Sequence, residues 1–289
     1  MITNTILETL LNKLTQLNAG ITNRLFLVFQ LFQSVFSSKR RKKILFTDHI
    51  GLKAQLEKAF KFTKHEIAFG EISHTNIKNY DLVVPLTMPD VRYLNGVRNL
   101  IIDNPIPIPS IESINLTDDK YILNQLLIEN GFGGLIPKIG GTQSFPYILK
   151  KSIGHSSENC HIIFDSQQEL SLSDALTNPE YFTQELIPGS YEYATHILFK
   201  DQKIISSLNI EYSFDTETPI KGKNKPLYTK VCHCPYLNVF SAILALIGFE
   251  GLCCFNYKDF ESLLYIIEIN PRFGGSLAPY FSSFINHLE

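Results

Sequence analysis

Near the end of the chain a carboxylate, an amide and a guanidinium fall at every second position. They are Glu268, Asn270 and Arg272, within Tyr265-Ile-Ile-Glu-Ile-Asn-Pro-Arg-Phe-Gly-Gly. Side chains on a strand alternate between faces. If the chain stays extended through Pro271, these three point one way and Tyr265, Ile267 and Ile269 point the other. A carboxylate and an amide oxygen can hold a hydrated magnesium ion and leave its remaining positions to phosphate. An arginine two residues on suits charge developing on a phosphoryl or acyl oxygen. The plain alternative is a solvent-facing strand with its polar residues outward, and alternation alone does not separate the two.

These groups need elements to hold them. Gly251-Leu-Cys-Cys-Phe-Asn-Tyr reads as a partner strand across a polar turn at 258–262, with Leu252, Cys254 and Asn256 on one face. Upstream, apolar runs predict strands at 44–48, 65–69, 80–85 and 100–103, with helices at 53–62 and 91–97 between them. That alternation implies a parallel sheet covered on both faces. No GxGxxG follows the first strand, so a dinucleotide site is not expected there. A helix is predicted over 121–129, capped by Asn115 or Thr117 and ended by the glycines at 131–134. Further strands are expected at 146–150, 160–164 and 181–187, and a hairpin joins 193–200 to 203–208 across Asp201-Gln202. His196, in mid-strand, reads as a packed or surface histidine rather than a catalytic one. A polar loop at 211–228 carries Lys221, Lys223 and Lys225, and a helix follows at 239–247.

Glu268-Ile-Asn-Pro-Arg272 resembles the metal-binding signature of the ATP-grasp superfamily, which includes biotin carboxylase, carbamoyl-phosphate synthase and the D-alanine–D-alanine ligases. The resemblance extends over 44–289. Asp119-Lys120 at a helix start resembles the entry segment, where the lysine, here Lys120, reaches nucleotide phosphate. Lys150 matches the strand-borne phosphate lysine, and the polar loop 152–159 resembles the flexible phosphate loop. Tyr181-Phe-Thr-Gln-Glu-Leu-Ile-Pro-Gly189 is similar to the hinge strand, which implies main chain around Leu186 and Ile187 on the adenine and Glu185 on the ribose. Glu192 corresponds to a further nucleotide-binding acid. The resemblance implies magnesium on Glu268, Asn270 and Asn256, with Arg272 and Lys150 acting in catalysis. Three departures stand out. The phosphate loop has Gly154 as its sole glycine; two residues rather than one separate Gly189 from Glu192; and Asn256 replaces an acidic metal ligand.

The implied fold is a Rossmann-like α/β unit followed by an α+β ATP-grasp domain of two subdomains, with an extra N-terminal helix. The expected division is 1–43, 44–115 and 116–289, the last split into a lid at 144–187 and a C-terminal part at 188–289. The implied activity is ATP-dependent ligation of a carboxylate to an amine, or to another nucleophile, through an acylphosphate, with ATP and magnesium as cofactors. The alternative is a nucleotide-binding protein without ligase turnover that acts in regulation or interaction.

Bulk properties agree with such a protein. The 289 residues can bury a substantial core, and 44% hydrophobic and 19% charged residues are ordinary for a folded chain. A net charge of −2 argues against general nucleic-acid binding, so small molecules are the expected partners. Five cysteines, an odd number without a CxxC pair, point to buried thiols in a cytoplasmic protein. Cys232-His-Cys234 supplies only half a zinc site. Residues 1–38 read as helical, and the run Lys39-Arg-Arg-Lys-Lys43 follows. An apolar helix beside basic residues can lie weakly on an anionic membrane. It can also pack on the body or at a homodimer contact, and the packed reading is preferred. The stretch is too short and too interrupted by glutamine to span a bilayer.

Overall fold

The computed structural model describes residues 19–36, 40–73, 77–101, 103–154, 159–285 and 288. Expectations for 1–18, for 37–39 and for the middle of the phosphate loop, 155–158, lie outside the described residues. Three sheets organise the chain, with strands in the spatial orders 66–69, 43–46, 82–84; 160–163, 147–151, 181–185; and 263–270, 251–260, 191–200, 203–213, 228–232.

The first sheet is parallel. It is built from β1 (Lys43–Phe46), β2 (Glu66–Phe69) and β3 (Leu82–Val84), with the helix Ile50–Phe60 as the crossover from β1 to β2 and a second helix, Met88–Gly96, following β3. Ile44, Phe46, Leu82 and Val84 are buried on one face and Leu45 and Val83 on the other, as a sheet covered on both faces requires. Thr87 and Asp90 form a reciprocal capping box on the second helix. The fourth strand expected at 100–103 is not formed: Leu100 ends a single 3-10 turn, and Ile102 lies outside the described residues. The Asn104 side chain takes the strand's place. Its Oδ1 accepts from Val83 N at 3.0 Å and its Nδ2 donates to Val83 O at 3.2 Å, which satisfies the free backbone of β3.

The segment that follows corrects a second expectation. Asn115 and Thr117 do not cap the next helix; they lie within the helix Ile111–Asp118. The helix Lys120–Leu127 is capped by Asp119, whose Oδ1 accepts from Tyr121 N and Ile122 N, both at 3.1 Å.

The small antiparallel sheet comprises β4 (Tyr147–Lys151), β5 (Cys160–Ile163) and β6 (Tyr181–Glu185). Tyr147, Leu149 and Ile163 pack on one side against Leu172, Ala175 and Leu176. Ile148 and Lys150 alternate to the other side.

The large antiparallel sheet runs through β7 (Tyr191–Lys200), β8 (Lys203–Ser213), β9 (Tyr228–Cys232), β10 (Gly251–Phe260) and β11 (Leu263–Asn270). Its hairpins turn at Asp201-Gln202 and Glu261-Ser262, and all four residues have positive φ, as the twist of a two-residue hairpin demands. The second turn is therefore shorter than the 258–262 expected, because pairing carries β10 through Phe260. Likewise Glu211–Ser213 complete β8 rather than open a loop. One face packs on the helix Leu237–Leu246 through Ile197, Phe255 and Ile269. The other, through Ala194, Leu198 and Leu252, shares a core with the first sheet, and Phe281 of the C-terminal helix Phe281–Phe284 meets Phe46 within it.

The alternation expected for β11 breaks at one point. Asn256 pairs with Glu268 but Tyr257 pairs with Ile266, so Ile267 is an extra residue in the ladder. A bulge of this kind switches the faces on either side of it. Leu264, Ile266 and Ile269 share the core, while Ile267 leaves it and Tyr265 is only partly buried.

The N-terminal helix Ala19–Phe36 packs on the body. Asn23 Nδ2 donates to Thr229 O at 2.7 Å, Val231 N donates to Asn23 Oδ1 at 3.1 Å, and Phe26 meets Tyr280 edge-on. One side chain thus covers the edge of β9. Among the described residues, no helix is long and apolar enough to cross a membrane.

Candidate active site

A cleft of about 510 Å³ lies between the small sheet and the large one, and residues distant in sequence converge on it. Cys254, Asn256 and Lys258 enter from alternate positions of β10; Ile267, Glu268 and Asn270 come from β11, with Arg272 just beyond. Lys150 and Ile148 face them from β4, and Lys120 approaches from its helix start.

Glu268 is the centre of this group. Its Oε1 accepts from Asn256 Nδ2 at 2.6 Å and from Asn270 Nδ2 at 2.8 Å. Burial pushes its carboxyl up. Lys120, the Asn270 amide, Lys150 and Lys221 together outweigh that and hold it at about 2. Lys150 donates to Ile267 O at 3.2 Å and stands 5.3 Å over the Phe182 ring. Burial lowers its ammonium to about 8 against the pull of Cys160 and Glu268. Lys120 Nζ donates to Gly154 O at 2.9 Å, and its backbone N–H donates to Ser152 O, so this lysine ties the start of the loop after β4 to the helix.

The hinge residues divide. Leu186, Ile187 and Glu192 line the cleft. Glu185 does not: its Oε2 accepts from Lys138 N at 3.2 Å. The extra residue before Glu192 does not carry it away. Gly189, at φ +115, turns the chain in a conformation few side-chain-bearing residues adopt, and Glu192 follows as a buried cleft residue. Burial raises its carboxyl despite Lys221 and Lys258.

Two lysines complete the lining. Lys221 is legible in the sequence as one of three loop lysines, whereas the sequence places Lys258 in a turn. Lys258 Nζ donates to Ile187 O and Gly189 O, both at 2.9 Å, and so clamps the hinge to β10. The signal that finds it is parity, since it stands two residues after Asn256. Lys223 donates to Cys160 O at 2.7 Å and joins the loop to the small sheet. Lys225 does not line the cleft.

His196 is packed, as expected. It is buried in β7, its Nε2 bonds Ser276 Oγ at 2.8 Å, and burial takes its imidazole down to about 3, so it is neutral. A Cβ at position 274 would lie 2.4 Å from its Cε1, which is why glycine follows Arg272-Phe273 there.

Among the described residues, no three His, Cys, Asp or Glu side chains gather as a metal site. Cys232 and Cys234 are buried thiols, contacted by Asn209 Nδ2 at 3.2 Å and Thr195 Oγ1 at 3.4 Å. A divalent ion in the cleft therefore depends on one carboxylate, on amide oxygens and on ligand phosphate. That donor set fits magnesium, which binds through one or two carboxylates and phosphate oxygens, and Glu268 is already ionised for it. A larger hollow of about 1050 Å³ adjoins the other face of the small sheet. Its charged groups are spent on neighbours: Lys151 on Glu180 at 2.9 Å, and Glu169 on Tyr147 at 2.6 Å.

No family model matches the sequence, and no curated protein matches it. Solved structures do. Phosphoribosylamine–glycine ligase from Thermotoga maritima superposes with a TM-score of 0.60 at 12% identity, covering 82% of this chain and 70% of its own. D-alanine–D-alanine ligase from Bacillus anthracis gives 0.58 at 15%, covering 86% and 96%. VanG D-Ala:D-Ser ligase from Enterococcus faecalis gives 0.57 at 16%, covering 86% and 98%. The chain has the ATP-grasp fold.

Proposed function

We propose that this protein is an ATP-dependent ligase that joins a carboxylate to an amine, or to another nucleophile, through an acylphosphate. The observation that carries the reading is the meeting of Lys120, Lys150, Glu268, Asn270 and Arg272 in one cleft from separate segments. Residues 44–115 form the leading α/β domain in this reading, and 116–289 clasp the nucleotide between a lid, 144–187, and a C-terminal part.

Leu186 and Ile187 offer main-chain groups to the base, and Glu192 rather than Glu185 meets the ribose. Lys120 and Lys150 steady the phosphates. Glu268 and Asn270 would hold magnesium, with Asn256 beside them. The ion, when bound, neutralises phosphate oxygens.

A substrate carboxylate oxygen attacks the γ-phosphorus; the bond to the bridging oxygen breaks and ADP leaves. The amine nitrogen then attacks the acyl carbon, the carbon–oxygen bond to phosphate breaks, and the displaced amine proton passes to solvent. Arg272 stabilises the charge on the phosphoryl and tetrahedral oxygens. Catalysis here is mostly positioning and charge neutralisation. Five unpaired thiols suit a reducing cytoplasm, where we place the protein.

The test is release of ADP and phosphate from ATP across a panel of amino acids and small carboxylates. Release stimulated by at least one acid together with an amine is expected. Nucleotide binding with no stimulated release across the panel assigns the chain instead to binding without turnover.

A further inference from the structure

The carbonyl oxygen of Asn256 is already engaged: it accepts from the Lys221 ammonium. That ammonium is held from several sides. It stands 4.6 Å over the Tyr212 ring and 3.9 Å from the Glu192 carboxylate. Its loop is fastened in turn by Lys223 on Cys160 O. The ammonium takes one lone pair of that oxygen, and its positive charge beside Asn256 would repel a cation brought to the other.

Charge balance agrees. Lys120, Lys150, Lys221, Lys258 and Arg272 face Glu192 and Glu268 across the cleft, a formal excess of three positive charges once Lys151 is set aside on Glu180. A triphosphate brings about four negative charges. One divalent ion already takes the loaded site past neutrality, and a second adds only repulsion.

We propose that Lys221 is a built-in cation that stands in for a divalent ion. The cleft takes one magnesium per nucleotide, on the Glu268–Asn270 side, and Lys221 supplies the positive centre at Asn256. This rests on the nucleotide reading above. A lysine ammonium is a compact charge with three donors, so it can keep Asn256 and still meet a phosphate oxygen.

The experiment counts Mn2+ bound to the full chain with a non-hydrolysable ATP analogue, from loss of the free Mn2+ resonance signal. The unaltered protein binds one Mn2+ per analogue. Lys221→Met keeps one ion and weakens analogue binding by about tenfold or more, the loss of a charge-assisted bond. Asn256→Asp alone stays at one ion, because Lys221 pairs with the new carboxylate. Asn256→Asp with Lys221→Met takes up two.

Two ions in the unaltered protein, a count that needs no variant to fold, overturn the proposal and leave the nucleotide site standing. One ion in a folded double variant overturns it as well. No analogue bound at all removes both this inference and the ligase reading.

Discussion

The two walls of the cleft are built differently. The large sheet is packed on both faces, against one core shared with the first sheet and another shared with the helix Leu237–Leu246. The small sheet has a far smaller core, Tyr147, Leu149 and Ile163 on one face, while its other face carries Ile148, Lys150 and the buried Phe182, which meets Tyr121. Segments with little buried apolar contact open at lower free energy than the rest. The groups that need fixed mutual geometry, Glu268, Asn256, Asn270 and Arg272, all sit on or beside the doubly packed wall. Lys150 sits on the lighter one. The division teaches that the doubly packed floor fixes the geometry and carries most of the charge, while the lighter wall brings one lysine, Lys150, to it. Lys223 on Cys160 O and Lys150 on Ile267 O are among the bonds that join the two walls.

The sharpest way to break this comparison is to remove charge from the floor without disturbing it. Glu268→Gln keeps an oxygen that can still accept from Asn256 and Asn270, so the fold is expected to hold. Turnover is expected to fall by about a thousandfold, the scale for losing a central electrostatic group. Circular dichroism and stimulated phosphate release check the two halves of that expectation, and unchanged turnover rejects the metal assignment.

Next comes packing. Gly274→Ala drives a methyl into the buried His196 ring and is expected to cost about 2 kcal/mol or more of global stability. Ile163→Ala, in the small core, is expected to act locally instead. Hydrogen exchange should quicken in β4–β6 while protection of β7–β11 stays unchanged. Equal loss of protection in both sheets for Ile163→Ala means the walls are one cooperative unit.

Much of the floor is legible in the amino-acid sequence, and the reason is parity. Asn256 and Glu268 are set by alternation along strands whose apolar neighbours mark the buried face. Ile267 is not legible, because a bulge is decided by how two strands pair, not by either strand alone. Lys258 escapes for a related reason: β10 continues as far as its partner does, and the sequence places turn-forming residues earlier. The expected strand at 100–103 fails because a single side chain, Asn104, satisfies the edge of β3. Glu192 reaches the cleft because Gly189, at positive φ, turns the chain into β7 just before it.

The lighter wall's charge gives a pH signature. Lys150 titrates at about 8 when folded, below its ordinary 10.5, because it is buried. Below pH 8 it is charged in both states, and burying that charge costs stability in full. Between about 8 and 10.5 the unfolded chain holds the proton that the folded chain has lost, so this residue's contribution makes stability rise with pH across that window. Nucleotide binding moves the other way. Affinity for a non-hydrolysable ATP analogue should fall as pH rises above 8, by at most about tenfold per unit. Lys150→Met should flatten that fall, and a slope that survives the substitution assigns it to another group.

The smallest expected effect separates two neighbouring carboxylates at the joint between the walls. Glu192 lies in the cleft beside Lys221, whereas the Glu185 carboxylate turns away to the Lys138 backbone. Glu192→Gln removes an acceptor from the nucleotide's side and should weaken analogue binding severalfold, about the worth of one hydrogen bond. Glu185→Gln keeps an oxygen for the Lys138 N–H, and binding should stay within about twofold, the scale of an exposed polar substitution. Calorimetric titration of both variants decides between them. If Glu185→Gln gives the larger loss, the strand at 181–185 must shift when nucleotide binds, and the lighter wall then sets geometry as well as charge.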